Sequence, residues 1–169
     1  NAYHERGRAS VQDIIHPKKV GSLPVEGNED LKRTNEIGMV IPLLDTINLE
    51  DKDITSDALL TQRKFADYLC RERKAHYHFT VKGNQATLFN DIKLYFQNRK
   101  EPDFITYDAP DHGRIETRRI WTTTEINSYL AFPHLQQCFM IERESVKKKT
   151  GKISRDIAYG ITSRPPEQA

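Results

Sequence analysis

A chain of 169 residues, 37% hydrophobic and 30% charged, has the interior of one ordinary domain and no apolar run approaching the roughly 18 to 20 residues of a membrane span. Its formal charge of +2 is too small to argue by itself for a polyanionic partner. Cys70 and Cys138 are too few for a disulfide framework and too far apart for a CxxC motif, and the polar stretch Asn1 to Arg8 lacks the apolar segment of a secretory signal, so a soluble cytoplasmic protein with no membrane partner is expected.

Residues 1–34 carry Gly and Pro punctuation, one plausible strand at Lys19 to Pro24 and a charged turn at Glu26 to Asp30. From Asn35 the pattern changes. Ile37, Val40, Ile41, Leu44 and Ile47 recur at steps of three and four, which predicts a helix over 35–47 with Pro42 as a kink or a late start. Lys52 to Asp57 reads as a short strand ending in a carboxylate. Phe65, Tyr68, Leu69 and Glu72 predict a helix over 61–74, with basic residues at the end where the dipole favours them. His76 to Val81 alternates as a strand that Gly83 ends, and Leu88, Ile92, Tyr95 and Phe96 predict a third helix over 85–97.

Alternating helices and strands over 35–100 argue for parallel strands joined by right-handed crossovers, which place successive strand ends on one edge. Asp57 and Lys82 should share that edge, where open α/β sheets bind ligands. After Glu101 the β-branched and aromatic stretches Phe104 to Tyr107 and Ile115 to Thr124 predict an antiparallel hairpin. Phe139 to Glu142 and Ile157 to Ile161 add strands, with a polar loop at Glu144 to Lys152 between them.

Asp57 is the most informative single residue. A carboxylate at the end of a buried strand must be solvated, hydrogen-bonded or bound to a cation, and an Asp before a helix also serves as an N-cap. Lys82, Asn84 and Gln85 read either as an ammonium, amides and backbone donors for a phosphate, or as a plain connection that Asn84 caps. His112, Arg114, Arg118 and Arg119 read either as nucleic-acid contacts or as a charged hairpin surface. The clusters Arg71, Arg73, Lys74 and Lys147, Lys148, Lys149 carry the same two readings, solvated charge or phosphate contact on a shared face. His76 and His78 alternate on a strand with no acidic or cysteine partner at ligand spacing, so they read as a structural or surface pair.

Four words in order, TNEIGMVIPLL from Thr34, ITSDALLTQ from Ile54, HFTVKGNQATL from His78 and HGRIETRR from His112, resemble bacterial insertion-sequence transposases of the DDE type, in the branch that includes the H-repeat-associated proteins. The resemblance covers roughly residues 17–164. It implies a ribonuclease H-like mixed α/β sheet flanked by helices over 35–100, with an antiparallel β region inserted over 101–169 before the last acidic residue. Residues 1–34 would supply a strand and loop of the core. It also implies that Asp57 is the second carboxylate of a catalytic triad and binds metal.

In that family the first Asp stands in an Asp-Gly-Lys-like word absent from this chain, and Asp13 in VQDII does not match it. Glu116 is the candidate third carboxylate, but its neighbours read as strand, whereas the family's Glu lies on a helix in a Trp-x-Ile-Glu-like word. Its other reading is a cross-strand partner of Arg114 or Arg118. The expectation is therefore an incomplete catalytic domain that begins just after the first carboxylate and stops before the last.

The implied chemistry is cleavage and strand transfer at DNA transposon ends by two Mg2+ ions about 3.5 to 4 Å apart, with metal binding weak or absent here and no activity in this chain alone. A decayed or domesticated module that binds DNA or a protein, and a nuclease of the same fold, are the alternative readings. An unpaired sheet edge would invite a homodimer.

Overall fold

The computed structural model describes residues 38–108 and 114–168. The strand read at Lys19 to Pro24, the turn at Glu26 to Asp30 and His112 lie outside these residues. The first described element is a helix over 38–45 (α1), which buries Val40 and Leu44 at the expected four-residue spacing and contains Pro42. Its last carbonyls are taken up from a distance. Arg73 donates to the carbonyls of Leu44 at 3.1 Å and Ile47 at 2.5 Å and to the Asp45 carboxylate at 3.1 Å, satisfying acceptors that a helix end leaves unpaired.

Strand β1 (Asp53–Ser56) alternates exposed and buried, with Ile54 and Ser56 inward. Helix α2 (Arg63–Asp67) continues as a widened π turn over Tyr68–Glu72, where a uniform helix to residue 74 was expected. Lys74 then takes a left-handed φ of 52° and Ala75 donates to the Leu69 carbonyl at 2.9 Å, which stops the helix and starts β2 (His76–Val81) at once. Helix α3 (Ala86–Phe96) buries Ile92 and Phe96.

The second half is β3 (Phe104–Asp108), β4 (Arg114–Thr123), the short helix α4 (Asn127–Leu130), β5 (Gln137–Lys147) and β6 (Ile153–Thr162). Of the polar loop expected over 144–152, residues 144–147 extend β5 and the loop itself is confined to 148–152. Val146 pairs with Ile153, and Gly151 at φ 65° supplies the left-handed residue of a tight turn, so polar side chains stand on exposed strands instead of in a loop.

All six strands form one sheet in the order β1-β2-β6-β5-β4-β3. β1 and β2 pair in parallel, and every other neighbouring pair is antiparallel. The architecture is thus mixed α/β, and the sheet is continuous across residues 100 and 101. Among the described residues β1 and β3 are its edges. One register row reads Ser56, Phe79, Ile161, Cys138, Thr123 across five strands, and this row with its neighbours is the core floor. α2 sets Phe65 on Phe79, and α3 sets Phe89 edge-on to Tyr159, so both helices cover the same face. Among the described residues no helix is long and apolar enough to cross a membrane.

Candidate functional site

The crossover through α2 brings the carboxyl ends of β1 and β2 side by side, because the parallel register sets Ser56 opposite Phe79. The residues just beyond these ends are Asp57 and Lys82. Lys82 Nζ donates to Asp57 Oδ1 at 3.1 Å, with 35% of the Asp57 side chain and 61% of the Lys82 side chain exposed. Asp57 also caps the 3-10 turn Ala58–Leu60, its Oδ1 accepting from the Ala58 N–H at 2.5 Å. The backbone donor and then the ammonium hold the carboxyl below its ordinary value of 3.8, as hydrogen bonds to the charged form must.

The turn after β2 locks the turn after β1. Asn84 donates its side-chain amide to the Ala58 carbonyl at 2.8 Å, and Gln85 donates to the Thr61 carbonyl at 2.9 Å. Buried Thr61 donates its hydroxyl to the Thr80 carbonyl at 2.7 Å. Of the residues read from sequence as phosphate contacts on this edge, Lys82 therefore presents its charge outward, while the amides of Asn84 and Gln85 are engaged in positioning the Asp57 turn. Thr61 was not singled out from the sequence, since a Thr between two helical segments carries no local signal.

The remaining sequence candidates lie elsewhere. Glu116 is on β4, opposite Asp108 and Ser145, and pairs with Arg118 Nη2 at 2.9 Å. Four strand spacings and about six register steps separate it from Asp57, on the order of 25 Å, so the two carboxylates are not brought together. Arg118 also pairs with Asp108. Arg119, one residue on, faces the opposite side of the pleat and pairs with Glu142 at 2.7 Å. Arg114 stands near the far end of the sheet opposite Lys147.

At the amino end of β1, Arg164 Nε donates to Asp53 Oδ1 at 2.7 Å and His78 Nε2 lies 3.3 Å from the same oxygen. His76 Nδ1 lies 3.4 Å from the Ser163 carbonyl. Both histidines thus have structural partners. Burial alone would raise the Asp53 carboxyl, yet Arg164 and His78 bring it below 3.8. Burial lowers His78 below 6.5 against the pull of Asp53.

These shifts share one sign. A carboxyl lowered on folding contributes stability that is present above its unfolded value and lost as pH falls through its folded value. A histidine lowered on folding contributes stability present above 6.5 and lost as pH drops from there to its folded value. The urea midpoint should therefore fall in two stages on acidification, first below pH 6.5 through His78 and again below pH 3.8 through Asp53 and Asp57. Asp57→Asn should flatten part of the second stage and leave the first intact. A midpoint constant from pH 7 to 3 would refute the assignment.

The pair of divalent ions implied by the resemblance requires several oxygen ligands in near-octahedral geometry. Among the described residues no group of three His, Cys, Asp or Glu side chains is placed to hold a metal ion. At the Asp57 edge one carboxylate is present and an ammonium already lies against it. The described residues alone do not fit that metal pair.

Comparison with known proteins gives relatives of similar identity. The chain is 31% identical over 137 residues to "Uncharacterized protein in dhlA 3'region" of Xanthobacter autotrophicus, covering 78% of this chain and 45% of that protein. It is 32% identical over 113 residues to "H repeat-associated putative transposase YbfD" of Escherichia coli, covering 64% of this chain and 42% of that protein. It is 35% identical over 91 residues to "Putative transposase YncI" of the same species, covering 51% and 36%. The chain spans less than half the length of each of these relatives. No family model matches the sequence. No solved structure matches it either. Over the stretch that it shares with these relatives, the chain is homologous to H repeat-associated and other putative transposases.

Proposed function

We propose that this chain forms part of the catalytic domain of a DDE transposase with a ribonuclease H-like core, whose whole protein binds transposon DNA ends and performs Mg2+-dependent cleavage and strand transfer. The observation that carries the reading is the half-exposed Asp57 carboxylate at the carboxyl end of the parallel β1–β2 pair, beside a solvent-facing ammonium, in a chain homologous to transposases. Asp57 is proposed as one metal-binding carboxylate, with the other ligands supplied from outside the described residues. Lys82 is proposed to face a DNA phosphate next to it, with Asn84 and Gln85 fixing the turn that aims Asp57. Glu116 is assigned to its ion pair with Arg118 and not to the triad, because its distance from Asp57 exceeds what a shared metal pair allows.

A second reading is favoured by one observation: the Asp57 oxygen that would meet a metal already accepts from Lys82 and Ala58. In that reading the chain is a retained DNA-binding module without chemistry. The two are separated by nicking of supercoiled DNA in Mg2+ or Mn2+, using this chain, a form extended at both ends to the relatives' full length, and Asp57→Ala of each. The catalytic reading expects activity in the extended form, reduced by about a thousandfold or more in Asp57→Ala, as for removal of a group essential to the chemical step. Activity that survives Asp57→Ala would sink the assignment. An extended form that binds DNA and never cuts it would establish the module.

A further inference from the structure

β4, β5 and β6 are longer than the strands beside them, and the direction of the excess matters. Val81, at the end of β2, pairs with Tyr159, which pairs with Met140 and then Trp121. From that row the three long strands run on past the carboxyl ends of β1 and β2 to the row Ile115, Val146, Ile153. Six further steps at about 3.3 Å each carry the sheet roughly 20 Å beyond the edge on which Asp57 and Lys82 stand. The excess is an arm on the same side as the candidate site.

Charge along the arm is not uniform. In its middle rows Arg119 pairs with Glu142 at 2.7 Å and Glu144 at 3.9 Å, Arg155 pairs with Glu144 at 2.6 Å, and Arg118 pairs with Glu116 at 2.9 Å, so these charges largely cancel. At the tip stand Arg114, Lys147, Lys148, Lys149 and Lys152, all exposed, and they take no part in those pairs. Arg114 is opposite Lys147, and the Lys147 N–H donates to the Lys152 carbonyl at 3.0 Å, so cations from three strand ends converge. Like charges packed this closely destabilise the fold unless a polyanion takes them up. The sequence clusters at Arg114 and at Lys147 to Lys149, separate along the chain, become one surface.

We propose that the tip of the β4–β5–β6 arm is a sequence-independent contact for the phosphate backbone of duplex DNA. It engages the duplex on the order of 25 Å from Asp57, a span of about seven base pairs at 3.4 Å each. The partner class rests on the transposase reading above; the surface rests on register and charge. Lysines on a turn suit backbone contact, being point charges on flexible stems, and such contacts fix the register of a duplex without reading its bases. The arm positions DNA for the Asp57 edge and touches no reacting atom.

The test is equilibrium binding of a 30-base-pair duplex of arbitrary sequence across a salt series, by the chain and by the combined variant Lys147→Ala, Lys148→Ala, Lys149→Ala, Lys152→Ala. The variant should bind roughly 30-fold more weakly at 0.1 M salt, and its log-affinity against log-salt slope should be shallower by about 2 to 4, near 0.9 per lost phosphate contact. Its urea midpoint should not drop, since the four side chains are exposed. Arg71→Ala with Lys74→Ala removes charge from the α2 end and should leave binding within about twofold. Unchanged slope and affinity in the lysine variant overturn the arm, as does an equal loss in the control pair. Binding to phosphatidylserine vesicles with none to the duplex overturns it in favour of a membrane surface. Asp57→Ala separates the two claims: binding retained with nicking absent from every form sinks the catalytic reading and leaves the arm standing.

Discussion

Replacing Phe79 with alanine is expected to cost about 4 kcal/mol of folding stability, in the range of large aromatic truncations in a packed core. Phe79 is fully buried on β2, with its ring centroid 4.4 Å from that of Tyr77 and 5.8 Å from that of Phe65. It is the side chain through which α2 grips the sheet. Truncation leaves a cavity bounded by rings that are themselves held: Tyr77 donates its hydroxyl to the Pro133 carbonyl at 2.8 Å, and Phe65 is fully buried. Collapse into the gap is therefore limited. Urea unfolding should show the loss as a fall in midpoint at constant slope, and Phe79→Leu should lose less than half as much. A cost below about 1 kcal/mol would mean that the ring is not in a packed core. Because Ser56 pairs with Phe79 and Asp57 follows directly, this substitution should also loosen the candidate site.

Gly160→Ala should cost about 3 kcal/mol, the upper part of the overpacking range. A methyl group at this position on β6 would run into the Phe139 ring and would lie 2.7 Å from the backbone carbonyl oxygen of Phe79. The ring is a side chain that can turn away, while the carbonyl belongs to the neighbouring strand and cannot move without disturbing β2. The two obstacles are separable by a double-mutant cycle. Phe139→Leu combined with Gly160→Ala should recover the part due to the ring and leave the part due to the backbone. Complete recovery would show that the strand spacing is looser than the register implies, and no loss in the single variant would refute the close approach altogether. The glycine is required here by proximity, a known use of Gly inside strands.

The first prediction rests on ring contacts between residues no more than 14 positions apart, whereas the second sets Gly160 against Phe79, 81 positions away, and this difference marks how far the sequence could be read. Local periodicity identified β2, α3 and the inward faces of both, because an alternation such as Tyr77, Phe79, Val81 and a stripe such as Ile92, Phe96 are imposed by backbone geometry. Helix α2 was legible in its apolar residues but not in its π turn, which depends on where the chain must turn to meet β2. Strands β5 and β6 were recognised only over Phe139 to Glu142 and Ile157 to Ile161, toward their core-side ends. Their polar outer halves look like loop in sequence, since exposed antiparallel strands need no hydrophobic face.

The candidate site divides in the same way. That Asp57 and Lys82 would share an edge followed from strand, helix, strand order and the handedness of crossovers, and the contact at 3.1 Å is what the structure adds. The inward engagement of Asn84 and Gln85 had no local signature, nor did the grip of Arg164 on Asp53 across 111 positions. Amide and guanidinium side chains have reach enough to serve either solvent or a neighbouring carbonyl, and only the packed neighbour decides.

By itself, the sequence determined the apolar helices and strands of the first half, which of their faces turn inward, the shared edge of Asp57 and Lys82, and the likeness to a branch of transposases. The tertiary structure decided the strand order that sets β6 against β2, the separation of Glu116 from Asp57, and the gathering of Arg114 with the turn lysines at the end of an arm. The reason is physical: backbone periodicity is a local property carried by each segment, whereas strand pairing and charge convergence are free-energy differences between whole arrangements of the chain, won by long-range packing.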